Sequence, residues 1–358
     1  MKQDIKEITT GLFHKMKTRA AILYELGKPL RVEDVSIPEI RRGQALVKIL
    51  YAGVCHSQLN EVRGFKGQDA YLPHLIGHEG SGLVEAIGEG VTKVKPGDYV
   101  VLTWIKGKGL DATGIKYNFG NCAVNAGPIA IFTEKALVAE NRLVPISAQT
   151  PADIAALLGC AVPTGAGMVF NLLDDTPNKS IAIYGIGGVG SSALLAAKTR
   201  KYKPIIAVDI HDSKLSHAVL LGADYTINAS QVNTLDEIMR ITEKKGVDFA
   251  IESSGIPKAM ELAFRSLAHK GKAVIAGNAK KGETITLDPQ GLNMGKKLLG
   301  TWGGETDPDR DIPMYEELYT KGLFPLEKLL TRTYTLDEIN MALEDLENGK
   351  LCRSVIKL

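Results

Sequence analysis

Residues 180–209 read SIAIYGIGGVGSSALLAAKTRKYKPIIAVD. The run SIAIYG is short and apolar, with strand character. GVGSSALLAAKTRK after it is helix-like, and IIAVD is a second apolar strand. The turn between the first strand and the helix carries four glycines, Gly185, Gly187, Gly188 and Gly190, around Val189. Asp209 closes the second strand about twenty residues further on. A GxGxxG turn alone is weak evidence, but strand, turn, helix, strand and terminal acid together form a dinucleotide-binding fingerprint. The glycines let the backbone approach a pyrophosphate, the helix N-terminus stabilises its charge, and the acid accepts from the ribose hydroxyls. Asp209 would repel a 2′-phosphate, so NAD is the expected cofactor; His211 and Lys214 close by keep NADP open.

The same alternation continues downstream. SKLSHAVLLG reads as helix, DYTIN as strand, TLDEIMRITEKK as helix and VDFAIESS as strand. PKAMELAFRSL then reads as helix and KAVIAG as strand, with a final strand in KKLLGTWGG. Strands of about five residues separated by helices of about ten to fourteen predict a parallel sheet built from βαβ units. From Thr18 to about Pro145 the pattern is different. Short β runs such as RAAILYE, QALVKILYAG and DYVVLTWI are broken by glycine and proline, which predicts a compact, mostly β domain. The tail from Asp307 offers two helices, IPMYEELYTKG and LDEINMALEDLENG, and a strand, SVIKL. It is too small to stand alone and is expected to complete the N-terminal part. The predicted division is therefore 1–162 with 303–358 for the mostly β domain, and 163–302 for an inserted α/β nucleotide domain.

Composition narrows the partners. The 358 residues hold 43 basic and 41 acidic side chains, a net charge of +2, with no basic block. Nucleic acid and anionic membranes are poor candidates. The four cysteines, Cys55, Cys122, Cys160 and Cys352, are far apart and form no disulfide framework, which suggests a reducing, cytoplasmic compartment. The N-terminal MKQDIKEITTGLFHKMK is charged and lacks the apolar stretch of a secretory signal. Ile154–Leu173 is uncharged and long enough to cross a membrane, yet it carries Pro163, three glycines, Thr164 and Asn171. A buried, broken segment is the expectation.

Three further clusters draw attention: GVCHSQLN at 53–60, LIGHEGSG at 75–82, and LLGCAVPTGAG at 157–167. Singly, Cys55 beside His56, His78 beside Glu79, and Cys160 are each explained by ordinary packing or turn chemistry. Likewise HLIGH pairs His74 with His78, but Pro73 and Gly77 argue against a helix there and leave His74 without an assigned role.

Read in order, however, GVCHS, then GHExxGxVxxxGxxVxxxxxGDxV, then GC…TG, then GxGGVG resemble the zinc-dependent medium-chain alcohol dehydrogenases. The resemblance covers nearly the whole chain beyond the first fifteen or so residues. It implies a GroES-like mostly β catalytic domain with an inserted Rossmann domain, and hydride transfer between an alcohol and NAD to give an aldehyde or ketone. It also implies that Cys55, His78 and Cys160 ligate a catalytic zinc, with Glu79 in or near the inner sphere or held in a salt bridge. Two thiolates, an imidazole and an open position suit a catalytic site. By the same resemblance Ser57 starts the proton relay and His56 contacts the cofactor pyrophosphate. Thr164 and Val189 would pack against the nicotinamide, and Lys214 and Arg353 would lie near the ribose and phosphates. Trp104 falls where the family places an aromatic wall of the substrate pocket, although a plain core tryptophan fits equally well. The edge strand near KKLLGTW implies a homodimer or homotetramer.

Three departures qualify the resemblance. The segment TWIKGKGLDATGIKYNFGNCAVNAGP holds only Cys122, where many members have four cysteines for a structural zinc, so one catalytic zinc and no structural zinc are expected. Gln58 stands where an Asp usually accepts from the zinc-ligating histidine; a neutral amide there would leave the zinc more electrophilic and less tightly held. Asn60 replaces the usual relay histidine and cannot act as a general base. Competing readings are a polyol or amino-sugar dehydrogenase and a non-catalytic NAD-binding structural or regulatory protein. A zinc-free quinone reductase would not retain Cys55, His78, Glu79 and Cys160 together.

Overall fold

The runs IAIY, IIAVD and VDFAIE are almost entirely buried, as strands covered by helices on both faces must be. They form the centre of a six-stranded sheet in the computed structural model, which describes residues 16–350 and 352–358. Across that sheet the strands run Tyr225–Asn228, Ile205–Asp209, Ile181–Tyr184, Val247–Glu252, Leu267–Ile275, Lys297–Gly300, all paired in parallel. The order reverses between Ile181–Tyr184 and Val247–Glu252, the doubly wound arrangement that opens a ligand crevice at the carboxyl ends of these two strands. Helices Gly188–Thr199, Asp212–Leu221, Thr234–Ile241 and Pro257–Arg265 connect the strands.

The N-terminal part is mostly β, as its broken pattern predicts, and its strands pair antiparallel except His74–Leu75 with Cys122–Asn125. Strands Lys17–Leu23, Arg31–Ser36, Lys116–Phe119, Cys122–Asn125 and His74–Leu75 close a small barrel. A seven-stranded sheet beside it includes Gln44–Val54, Glu79–Ile87 and Tyr99–Thr103. The tail joins this sheet: Arg353–Lys357 pairs antiparallel with the end of Gln44–Val54, Ser354 opposite Val54, and Leu330–Thr335 pairs with it in turn. The parallel sheet is thus enclosed in sequence by the two halves of the antiparallel part.

The uncharged stretch from Ile154 is two buried helices, Ala152–Leu157 and Ala161–Leu172, separated by the turn at Leu158–Cys160. No helix among the described residues is long and apolar enough to cross a membrane. Helix Ala161–Leu172 lies so close to the glycine-rich turn that a Cβ at Gly165 would sit 2.1 Å from the Val189 carbonyl oxygen. This contact ties Cys160 and Thr164 to the glycine-rich turn.

Of the helices that differ from their predicted extents, two show the cause plainly. The helix from Thr234 stops at Ile241, because Glu243 and Lys244 adopt φ of 51° and 64° and leave the right-handed helical region. The tail helix starts at Pro308 rather than Ile312. Asp307 accepts from the Asp309 N–H at 3.1 Å, and Pro308 fits the first helical position, where no N–H is needed. The charged N-terminal stretch lies, through residue 15, outside the described residues.

Candidate functional site

Cys55 is the last extended residue before helix His56–Val62, directly after the strand Gln44–Val54. His78 and Glu79 open the neighbouring strand Glu79–Ile87, where Gly77 makes the turn with φ of 102°. Cys160 sits at the break between the two buried helices, and Thr103 holds that break by donating from Oγ1 to the Gly159 carbonyl at 2.7 Å. These three loci, distant in sequence, converge. The ligating atoms of Cys55, His78, Glu79 and Cys160 all lie within 4.8 Å of one another. Glycines make the room: a Cβ at Gly53 would lie 2.7 Å from Glu79 Cδ, and one at Gly159 2.8 Å from Glu79 Cβ.

The chemistry of this donor set suits zinc. Soft thiols and an imidazole at one point are what tetrahedral zinc takes. His78 Nε2 lies 3.3 Å from Cys160 Sγ. Contact with Cys160 first, and with His78 after it, holds Cys55 well below its usual range against the opposing pull of burial. The Cys55 thiolate and burial push Cys160 well above it. Glu79 is fully buried, accepts from the Ala161 N–H at 3.3 Å and forms an ion pair with Arg353. The salt-bridge reading of Glu79 is therefore realised in this structure.

Ser57 Oγ is buried without a hydrogen-bond partner, as is Trp104 Nε1. Trp104 packs edge-on to His78, with ring centroids 6.5 Å apart, which places it at the metal set and not in the distant core. Trp302, unassigned by sequence, is 74% exposed and meets Trp104 edge-on at 6.1 Å. Only the spatial pairing reveals it, since TWGG reads simply as the end of a strand.

Gln58 departs from its expected role. It is buried; its Oε1 accepts from the Cys55 N–H at 2.8 Å, and its Nε2 donates to His78 Nδ1 at 2.6 Å. The oxygen that would accept from the histidine is turned to the backbone. Asn60 is part-exposed on the same helix. His74 belongs to a separate ionic cluster, with Nε2 2.8 Å from Asp69 and 3.6 Å from Glu61, and Lys66 2.9 Å from Glu61. Residue type and spacing give no signal for that cluster. The segment after Trp104 folds as the hairpin Lys116–Phe119 and Cys122–Asn125, with Cys122 exposed and in neither metal-capable cluster among the described residues.

The glycine-rich turn meets four separate demands. Gly185 has φ of 85°, in the left-handed region. A Cβ on Gly190 would lie 1.9 Å from the Gly185 oxygen, and one on Gly188 2.3 Å from Arg353 Cδ. A Cβ on Gly187 would meet nothing within 4 Å, so its open side is free for a phosphate. Asp209 clamps the turn, accepting from the Ile186 N–H at 2.7 Å on one oxygen and from Ile210 and His211 on the other. The carboxylate retains acceptor capacity for ribose hydroxyls. Arg353 also donates from Nη1 to the Val54 carbonyl at 2.8 Å, so it bridges the metal set and the glycine turn. His56 is open to solvent, and desolvation first, with Lys214 and Arg353 adding to it, holds it below its ordinary pKa.

Residues 41–148 match the alcohol dehydrogenase GroES-like domain, and residues 188–320 match the zinc-binding dehydrogenase family. An S-(hydroxymethyl)glutathione dehydrogenase of Escherichia coli (strain SMS-3-5 / SECEC) is 32% identical over 371 residues, covering 96% of this chain and all of the relative (100%). Among solved structures, a benzyl alcohol dehydrogenase from Acinetobacter calcoaceticus superposes with a TM-score of 0.86 at 32% identity, covering 96% of this chain and 99% of the other. An alcohol dehydrogenase zinc-binding domain protein from Burkholderia ambifaria gives 0.85 at 30% identity, over 96% and 99% of the two chains.

Proposed function

The chain belongs to the zinc-dependent medium-chain alcohol dehydrogenases, and from that premise we propose how its own residues divide the work of NAD-dependent alcohol oxidation. Cys55, His78 and Cys160 hold one catalytic zinc, with Glu79 close enough to exchange into its coordination. When bound, zinc supplies a Lewis acid that polarises the substrate oxygen and lowers the alcohol's pKa. NAD takes the hydride.

The protein residues bind, orient and move the proton. Ser57 Oγ, unpartnered and buried, accepts the alcohol proton. Its next acceptor is water or the cofactor ribose, because Asn60 offers no base. Gly185, Gly187, Gly188, Val189 and Gly190 seat the pyrophosphate, with His56 and Arg353 donating to it. Asp209 takes the ribose hydroxyls and selects NAD, with Lys214 alongside. Thr164, in the first turn after Cys160, supports the nicotinamide end. Trp104 and Trp302 wall the substrate entrance, favouring a small-molecule alcohol or aldehyde.

The observation that carries this reading is the convergence of two thiols, an imidazole and a carboxylate within 4.8 Å, beside a turn whose Gly187 faces open space. A panel of alcohols with NAD, followed by NADH absorbance, tests it. Metal analysis that finds zinc, together with no oxidation of any primary, secondary or aromatic alcohol, would reject it. The polyol, amino-sugar and non-catalytic alternatives are not favoured by the relatives.

Finer assignments follow from the same arrangement. The domain division is 1–162 with 303–358, and 163–302. Cys122 being alone supports a single zinc with no structural partner. The free edge of Lys297–Gly300, with Leu292, Met294 and Trp302 exposed near it, supports a homodimer or a homotetramer built from such dimers. Four unpaired thiols support a cytoplasmic location.

A further inference from the structure

Residues 104–115, between strands Tyr99–Thr103 and Lys116–Phe119, form no helix or strand. Other contacts hold them in place. Arg142 donates to the Trp104 carbonyl, the Gly107 N–H donates to the Asn141 carbonyl at 2.9 Å, and the Leu110 N–H donates to Glu140 Oε2 at 2.6 Å. These bonds all run to the turn Glu140–Arg142 and seat the segment on the mostly β domain.

Another fastening runs elsewhere. Asp309, in the first turn of helix Pro308–Thr320, accepts from the Lys108 N–H at 2.5 Å on Oδ2 and pairs with Lys93 Nζ at 2.5 Å on Oδ1. Lys93 also donates to the Lys108 carbonyl at 3.2 Å, so the three residues close a ring. The Lys93 and Asp309 side chains are 14% and 13% exposed. Charge-assisted bonds shielded in this way are stronger and less screened by salt than those at the surface. Gly107 permits the approach, since a Cβ there would lie 2.5 Å from Asp309 Oδ2.

The two segments joined by this ring are the two lips of one opening. Trp104 stands at the metal set against His78 and meets Trp302 edge-on at 6.1 Å. Gly303, with φ of 92°, presses the second lip onto the first, because a Cβ there would be 3.2 Å from Trp104 Cη2. The same two segments line a cavity of about 470 Å³, with residues 106–108 on one side and Trp302 and residues 305–307 on the other. Asp309 follows the second lining and bonds to the first.

We propose that Asp309 is a positioning residue that latches the two lips together, and that this latch sets the size of alcohol admitted to the metal set. The inference rests on Trp104 and Trp302 walling the substrate entrance. With Lys108 and Lys93 held, Trp104 keeps its edge-on contact with Trp302 and the mouth stays narrow. Without the carboxylate, residues 104–111 are bonded from one side only and the lips part.

Asp309→Asn keeps the shape and one accepting oxygen but removes the charge that binds Lys93. The ratio of kcat/KM for an aromatic or branched alcohol over that for a small primary alcohol should rise about tenfold, mostly through KM, with kcat for the small alcohol within about threefold of wild type. Lys93→Met leaves the Lys108 bond in place and should move the ratio the same way by less; it carries the test if Asp309→Asn does not fold. Fluorescence reads the mouth directly, because the chain's two tryptophans are Trp104 and Trp302. In a Trp302→Phe background, acrylamide should quench Trp104 more readily once Asp309→Asn is added, at temperatures well below melting. An unchanged size ratio or unchanged quenching overturns the proposal. Trp104→Ala and Trp302→Ala separate its failure from that of the wall assignment. If neither shifts the size ratio, the wall assignment falls and the proposal with it; if either does while Asp309→Asn does not, the latch alone falls.

Discussion

Arg353 and Glu79 form an ion pair in the interior, joining the chain's last strand to the strand that begins the metal set. Both side chains are almost wholly excluded from water, 5% and 0% exposed. A buried pair contributes little over a well-packed apolar substitute, but breaking it strands a charge. Arg353→Ala should therefore destabilise the fold by about 3–5 kcal/mol, and Glu79→Gln with Arg353→Met should recover most of that. Denaturant unfolding of the variants checks this. NAD affinity should fall in both, because Arg353 also packs against Gly188.

Ser57 Oγ has no partner to lose, so Ser57→Ala should change stability by less than about 1 kcal/mol. Its effect belongs to proton transfer. kcat should drop about a hundredfold or more with KM nearly unchanged. Steady-state kinetics at several pH values measure this; a KM effect alone would move Ser57 from the relay to substrate binding.

Asp209 holds the glycine turn, and in the proposed reading its charge repels a 2′-phosphate. Asp209→Asn keeps an acceptor for the Ile186 N–H while removing that charge. The ratio of kcat/KM for NAD over NADP should fall by about tenfold or more, with most of the loss on NAD, since each 1.4 kcal/mol is a factor of ten. An unchanged ratio would place cofactor choice elsewhere.

The cysteines should separate cleanly by metal analysis. Cys160→Ser should lose zinc and activity together, and a chelator should do the same to the wild type. Cys122→Ser should retain one zinc per chain and full turnover, because Cys122 lies exposed on the barrel hairpin and outside the metal set.

His217, on helix Asp212–Leu221, has Nε2 buried without a partner. Burial holds its pKa below the ordinary 6.5, against a backbone hydrogen bond at Lys328 that pulls it up. The unfolded chain takes up this proton near 6.5 and the folded chain only at lower pH, so between the two values the unfolded state binds more protons. Its stabilisation is complete above 6.5 and is lost as pH falls from there toward the folded value. His56, although open to solvent, has the same sign. Melting temperature should decline from about pH 7 to about pH 5.5, and His217→Gln should flatten part of that slope. A slope of opposite sign would mean that other groups dominate this range.

The fold was legible wherever a local pattern carried the signal. IAIY, IIAVD and VDFAIE announce covered parallel strands by being apolar throughout, and the glycine spacing marks the turn between them. The loci of the metal set were legible through residue type and order. What was not legible depends on contacts between remote segments. Gly53 and Gly159 look like ordinary glycines until Glu79 is seen to occupy the space their side chains would fill. Trp302 acquires meaning only against Trp104, and His74 only against Asp69 and Glu61. The amide direction of Gln58 follows from its two partners and from nothing in its spacing. Helix ends were misjudged where backbone conformation outweighed composition, as at Glu243, or where a cap preceded a proline, as at Asp307.

The strand Arg353–Lys357 has a consequence for how the molecule comes into being. Arg353 donates to Val54, a partner made 299 residues earlier. While the chain emerges from a ribosome, the parallel sheet has every strand it needs by residue 300, but the antiparallel sheet around it lacks two of its members. Glu79 waits in the nascent N-terminal part without its counter-charge. Glu79 gains that partner only once residue 353 has been made, and a ribosome stalled before it would carry a finished nucleotide domain beside an unfinished catalytic one.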